Sequence, residues 1–315
     1  MSLIFTIFSI LAASIVLIKA VDWFILSVSK IAHYFRLSGY TISFFLIGAA
    51  TSFPELVIGI VSAYEKRPIL SYANVIGSNM ALLTLIIAIP VLLGAEISTR
   101  RIVHSKDLYI TLFCFVFALA LTLDGKLTRI DGIALIIGYV LYTTHVIRSG
   151  SVVEKIAEKL EHVRLDKQLA IFAASVIVVM FSSEVIVQSA FSLSQILGWN
   201  IAFIGVTLTA IGTSLPEITY AIKVMNDPWK RDGIIGNTMG SVVANSLLVL
   251  GTTVLIQPLT ISDNQVNIPT ITILFFTLLL FLNFARTKTK LDKKEAIILL
   301  CIYAIFVLME YYLTA

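Results

Sequence analysis

Thr51-Ser52-Phe53-Pro54-Glu55 returns 162 residues further along as Thr213-Ser214-Leu215-Pro216-Glu217. The same offset carries Asp22 onto Glu184. Asn74-Val75-Ile76-Gly77-Ser78 returns as Asn237-Thr238-Met239-Gly240-Ser241 at an offset of 163, one inserted residue apart. Two motifs in the same order at nearly one spacing mark an internal repeat. Pro54 and Pro216 both lie inside apolar runs. A proline there removes a backbone hydrogen bond and clashes one turn back, so a broken helix is predicted in each half.

The composition around the motifs sets their medium. Of the 315 residues, 58% are apolar and 13% charged, against roughly 45–50% and about 25% in an average soluble domain. A soluble chain of this kind would expose large apolar patches to water. That excludes a soluble globular protein, a disordered chain and a disulfide-stapled secreted domain. Cys114 and Cys301 sit in separate apolar runs and read as small buried hydrophobes. Runs bounded by charge and turn residues predict ten spans, at 3–27, 38–63, 69–94, 107–123, 131–147, 168–190, 200–223, 233–256, 267–285 and 295–313. The expected fold is thus an all-α membrane protein. Residues 1–148 form one five-helix repeat, 149–167 a polar cytoplasmic linker able to lie as a short helix on the membrane, and 168–315 the second repeat. The first run has no positive charge before it, unlike a cleaved signal peptide.

The basic residues orient the chain. With the N-terminus outside, the outer loops hold only Lys66, Arg67, Lys126 and Arg129, and Lys19 lies within the first span. The other 18 of the 23 Lys and Arg fall in cytoplasmic loops. Positive charge is retained on the cytoplasmic side, so both termini are expected to be extracytoplasmic. Five spans per half is an odd number, and the second half therefore enters the membrane upside down. Inverted repeats of this kind place their sites near the midplane, between broken helices.

Glu55 and Glu217 stand in mid-span, one per half. A charged carboxylate at the bilayer centre costs about 2.5–3.5 kcal/mol on insertion scales. Two facing each other would repel, and one would take a proton unless a cation lay between them. Thr51, Ser52, Ser78, Thr213, Ser214, Ser241, Asn74, Asn237 and Asn245 surround them in sequence, all oxygen donors, with no thiolate or imidazole. Such a set suits hard cations such as Ca²⁺, Na⁺ or Mg²⁺ rather than Zn²⁺ or Cu⁺. Gly77 and Gly240 would let helices approach closely. Asp22 and Glu184 read as structural polar groups of long tilted spans, the alternative being second-site acids or proton acceptors, with Lys19 snorkelling or pairing with Asp22. His33, His104, His145 and His162 fall near loops. No nucleophile–base pattern is present, so the chain is not expected to be an enzyme.

Gly212-Thr213-Ser214-Leu215-Pro216-Glu217 with Gly236-Asn237-Thr238-Met239-Gly240-Ser241 resembles the second alpha-repeat of the sodium/calcium exchangers, in the calcium/cation antiporter superfamily. Ala50-Thr51-Ser52-Phe53-Pro54-Glu55 with Asn74-Val75-Ile76-Gly77-Ser78-Asn79 resembles the first. The resemblance spans nearly the whole chain, including Asp22-Trp23-Phe24. It implies secondary antiport of Ca²⁺ against Na⁺ by alternating access, with spans 1 and 6 sliding across the other eight. Glu55 and Glu217 would be the main calcium ligands, helped by the Thr51 and Thr213 carbonyls. Sodium would use the same glutamates and the hydroxyls of Thr51, Ser52, Ser78, Thr213, Ser214 and Ser241. Asn245 would complete the metal-ligating set.

Two positions depart from that pattern. Leu82 stands where a polar residue is usual, and Asn245 where some exchangers carry Asp. Two carboxylates match one Ca²⁺ or two Na⁺, whereas a third Na⁺ would leave excess charge in a low dielectric. Ala50 replaces Gly. The family's large cytoplasmic regulatory loop is missing, which implies a prokaryotic short form in the plasma membrane without a calcium-sensor domain. A proton/calcium exchanger of the same superfamily is the alternative, although Gly77-Ser78 and Gly240-Ser241 stand where those proteins carry a further acid and a His. A passive channel would build its filter from rings of groups around a symmetric pore. The expected partners are Ca²⁺, Na⁺ or H⁺, and lipid, with no nucleic acid and no cofactor, and the expected state is a monomer.

Overall fold

The computed structural model describes residues 3–34, 39–99, 106–148, 164–226, 233–261, 268–287 and 290–314. The linker helix expected within 149–167 lies almost wholly outside the described residues. Those described are nearly all helical, as they must be where no water can satisfy the backbone. In chain order the helices are α1 (Leu3–Tyr34), α2 (Gly39–Tyr64), α3 (Pro68–Leu92, with a break at Thr84), α4 (Lys106–Leu121), α5 (Arg129–Arg148) and α6 (Leu165–Leu197). There follow α7 (Ile201–Thr213), α8 (Leu215–Val224), α9 (Gly233–Val243, continued through Ala244–Val249 to Ile256), α10 (Ile268–Thr287) and α11 (Lys293–Thr314). Among the described residues, six helical stretches are long and apolar enough to cross a membrane, and 52–64, 109–121 and 201–213 are shorter apolar helices. The chain is a multi-pass helical membrane protein.

Two predicted edges shift. α1 runs on to Tyr34 rather than 27, and α6 covers Leu165–Leu197 rather than 168–190. At 1.5 Å per residue each is about 48–50 Å long, well beyond a hydrocarbon core of about 30 Å. Charge and serine near their ends do not stop a helix that already has its backbone bonds. What stops α6 is Gly198, whose left-handed backbone (φ 69°) caps it, and Asn200 then caps α7 through the Ala202 amide at 2.9 Å.

Burial divides the helices. In the most apolar 18-residue stretch of each, 83% of the residues of α3 and 72% of those of α9 are buried, against 33% in α6 and 28% in α11. Ile4, Phe8, Ile177, Phe181, Phe276 and Tyr312 are exposed, which suits a lipid solvent. The apolar core falls into two clusters. The larger joins α3, α4, α5, α9, α10 and α11 around Tyr72, Met80, Phe115, Leu247, Phe281 and Phe306. The smaller joins α1 to α6 and reaches Val57 and Ile58 of α2 and Phe203 and Ile204 of α7.

Two short clasps tie distant loops together. Lys126-Leu127 pairs antiparallel with Leu259-Thr260, reinforced by the Ile261 amide donating to the Gly125 carbonyl at 2.8 Å. Ser98 bridges to Lys290, whose ammonium also meets the Glu96 carboxylate. Ser98 and Thr260 stand 162 residues apart, and Lys126 and Lys290 stand 164 apart. Each clasp therefore joins the loop after the third span of one half to the loop after the fourth span of the other, and the two clasps exchange the halves.

Candidate functional site

Both copies of the Thr-Ser-x-Pro-Glu motif interrupt a helix at the serine. In α2 Ser52 has φ −134° and ψ 21°, and the helix resumes through Pro54. In the second half α7 stops at Thr213, Ser214 sits at φ −86° and ψ 2°, and α8 begins with Pro216 in its first turn, where a missing N–H costs nothing. Glu217 follows in that first turn and favours the positive end of the helix. The prolines thus act as expected, although on one side the helix kinks and on the other it parts.

The motifs meet in the interior. Glu55 is 1% exposed and Glu217 5%. The two carboxylates lie within electrostatic reach of each other, with the Thr213 side chain beside Glu55. The Thr213 hydroxyl stands 3.2 Å from that of Ser78 and 3.4 Å from Asn74 Oδ1. The Ser52 hydroxyl donates to the Ser241 carbonyl at 3.5 Å. Asn245 donates from Nδ2 to Asn79 Oδ1 at 3.3 Å, and Asn79 donates in turn to Ser246 Oγ at 2.9 Å. Ser52, Ser78, Ser241 and Asn245 are fully buried.

Several buried oxygens are left over. Glu55 Oε2, Glu217 Oε2, Ser214 Oγ, Ser241 Oγ and Asn245 Oδ1 have no hydrogen-bond partner among the described residues. A buried polar atom without a partner costs about 1–3 kcal/mol; four of these five lie in the repeated motifs, Asn245 lies one turn beyond, and Asn74 Nδ2 of the first half is orphaned with them. Apart from that one amide nitrogen, the orphaned atoms of the cluster are oxygens, and among the described residues no third Asp, Glu, His or Cys joins the pair of carboxylates. The cluster fits a hard cation as its ligand. Thr51 belongs to α2, but its side chain lies outside the described residues, as does that of Pro216. Asn237 is only half-buried.

The glycines do not behave alike. A Cβ on Gly77 would stand 2.1 Å from the Val206 carbonyl oxygen, so α3 can reach α7 only because residue 77 has none. Gly240 differs from expectation: among the described residues no heavy atom lies within 4 Å of where its Cβ would stand. Asp22 and Lys19 are exposed on α1, and Glu184 is half-buried, accepting from Gln188 at 2.8 Å. Asn79 is the participant that sequence reasoning passed over. It directly follows Gly77-Ser78, and its amide joins Ser246 and Asn245 of the other half, while Leu82 is buried in the larger core.

The second half adds π-helical turns. Gly205–Thr209 and Ala244–Val249 both carry the wider winding, and the latter contains Asn245 and Ser246. Such bulges concentrate at functional sites because they re-aim side chains and free carbonyls.

The family model described as sodium/calcium exchanger protein matches residues 5–148 and 167–312. A sodium/calcium exchanger of Methanosarcina acetivorans, MaX1, is 24% identical over 353 aligned positions, covering 96% of this chain and 98% of its own length. An uncharacterized membrane protein of Methanocaldococcus jannaschii, MJ0091, is 26% identical and covers 90% of this chain and 91% of itself. A solved structure of the sodium-calcium exchanger NCX_Mj, soaked with 10 mM Na⁺ and 10 mM Sr²⁺, superposes with a TM-score of 0.65 at 25% identity, covering 98% of this chain and 99% of that one.

Proposed function

Because the chain belongs to the sodium/calcium exchanger family and is accordingly a membrane cation/Ca²⁺ antiporter, we propose that it drives Ca²⁺ across the plasma membrane in exchange for Na⁺ by alternating access. The observation that carries this reading is the buried oxygen cluster shared by both halves, with Glu55 and Glu217 at its centre. Ca²⁺ takes six to eight oxygens and loses its hydration only where anionic ligands compensate. Two carboxylates, the hydroxyls of Thr51, Ser52, Ser78, Thr213, Ser214 and Ser241, and the Asn245 amide oxygen supply them. Na⁺ competes for the same groups, so one ion leaves as the other enters.

In this reading residues 1–148 and 168–315 are inverted five-helix repeats joined by a cytoplasmic linker, with both termini outside. The reciprocal clasps and the paired serine breaks support that symmetry. The family match itself divides in two and leaves out 149–166. With Asn245 neutral and Leu82 apolar, the pocket balances two positive charges, which favours a cycle near two Na⁺ per Ca²⁺. Calcium uptake into proteoliposomes under imposed sodium or proton gradients tests the proposal. Uptake that follows the sodium gradient supports it. Uptake that follows only the proton gradient identifies proton coupling, and uptake without either identifies a passive pathway.

A further inference from the structure

The turn between α2 and α3 is closed by its own backbone hydrogen bonds. Lys66 takes a left-handed backbone (φ 58°), the Glu65 amide bonds the Val61 carbonyl at 2.9 Å, and the Arg67 amide bonds the Ser62 carbonyl at 2.7 Å. Glu65 and Arg67 are therefore fixed to the body of the bundle. Both reach the middle of the outer half of α6. Arg67 Nη1 donates to Gln188 Oε1 at 3.1 Å, and its guanidinium lies 3.7 Å over the Phe191 ring. Gln188 Nε2 donates to Glu65 Oε2 at 2.9 Å and to Glu184 Oε1 at 2.8 Å. One amide thus spends both its donors and its acceptor, and it ties the turn to α6 through charged partners, the stronger kind of hydrogen bond.

Elsewhere the described contact between the α1/α6 pair and the body is largely apolar and includes the Phe24 ring of α1 stacked on Phe53 of α2. The pair forms its own apolar cluster and meets α2 and α7 through Val57, Ile58, Phe203 and Ile204. Ser14 of α1 and Ser175 of α6 turn their hydroxyls back onto their own helices, at 2.8 Å each. Aliphatic packing is non-directional and tolerates displacement along a helix axis. A directional network does not: a slide of one turn, about 5.4 Å, would part every bond that Gln188 makes across to the turn.

The repeat shows where such a network is lacking. At the offset of 162, Glu184 corresponds to Asp22 and Glu65 to Asp227, but Gln188 corresponds to Leu26. Leucine cannot bridge two carboxylates and an arginine. If the two end states of the cycle exchange the environments of the two halves, the opposite state has no equivalent bond.

We propose that Gln188, held between Arg67 and Glu65, is a latch that fixes the position of α6 against the body and biases the transporter toward this one of its two end states. The inference rests on the alternating-access reading above. The test uses the full chain in nanodiscs, with Cys114→Ala and Cys301→Ala, and spin labels on cysteines placed at Leu123 and Ile196. The native protein should give one dominant distance. Gln188→Leu, which copies the counterpart residue, should raise a second distance and shift the population ratio about tenfold, and Arg67→Ala should shift it the same way by less. Glu96→Gln, which breaks the exposed pair with Lys290, should leave the distribution unchanged. A distribution identical to native in both latch variants overturns the proposal, as does an equal shift in Glu96→Gln. Sodium-driven calcium uptake is measured on the same unlabelled native protein. Its absence would count against the exchange reading, while the distances still decide the latch.

Discussion

Helix α2 bends at Ser52 and carries on to Tyr64, whereas its counterpart ends at Thr213 and starts anew at Leu215. The next helices diverge as well. α3 breaks at Thr84, and α9 instead widens through a π segment at Ala244–Val249. The same four residues of the Thr-Ser-x-Pro-Glu motif accompany a non-helical serine in both halves, but the neighbouring turns absorb it differently. Chemistry is duplicated more faithfully than backbone. The first half packs tightly through Gly77, and the second presents an amide, Asn245, from a loosened turn.

The largest expected effect tests whether the two motifs are equal. Glu55→Gln and Glu217→Gln should each abolish calcium uptake while the protein still inserts and stays monodisperse, because each removes one of the two charges that offset calcium desolvation. Removing a buried charge can even stabilise the empty protein. Wild-type uptake by either variant would break the equivalence and the site assignment with it.

A second test addresses the inversion. Cysteines placed at positions 2 and 315 should react with an impermeant thiol reagent in intact cells, and one placed within 155–165 should not. The reverse pattern would refute both the topology and the upside-down relation of the halves.

Smaller effects sharpen the packing contrast. Gly77→Ala should lower thermal stability in detergent, since its methyl would collide with the Val206 carbonyl, at a cost of about 1–3 kcal/mol or more. Gly240→Ala should stay within about 1 kcal/mol of native, where helix propensity alone acts. Equal losses would show that the halves pack alike after all.

The smallest effect concerns coupling. Each elementary charge moved across 100 mV is worth about 2.3 kcal/mol, so an electrogenic cycle responds to potential. Flux in proteoliposomes clamped with potassium and valinomycin should depend weakly on potential. A steep dependence with a sodium Hill coefficient near three would mean that another group replaces the charge that Leu82 and Asn245 do not provide.

The burial of the two glutamates, the helix breaks and the membrane class were legible because each is a local violation: a proline in an apolar run, or a carboxylate where charge is costly. The repeat made each violation readable twice. Gln188 and Asn79 were not legible, because a single amide in a polar or apolar run signals nothing until its partners, 123 and 167 residues away, are known. The ends of α1 and α6 were missed for a related reason. Charge and serine mark where a membrane ends, and a helix that leans can pass that mark intact. The π turns depend on packing against other helices, which no residue pattern announces.

The burial of α3 has a consequence for how the chain is made. Most residues of this helix are buried in the rest of the molecule, and its Ser71, Ser78 and Asn79 find Thr253, Thr213 and Ser246 as partners. Those partners are synthesised 135 to 182 residues later. At about 5–20 residues per second the shortest of these waits lasts roughly 7–27 s. Through that interval α3 leaves the ribosome as an apolar helix studded with polar groups that lipid cannot satisfy. It must be sheltered by the insertion machinery or by α2 until the second half arrives. Truncated nascent chains ending before residue 213 should therefore remain crosslinkable to the translocon through α3, and chains extended past residue 253 should release it.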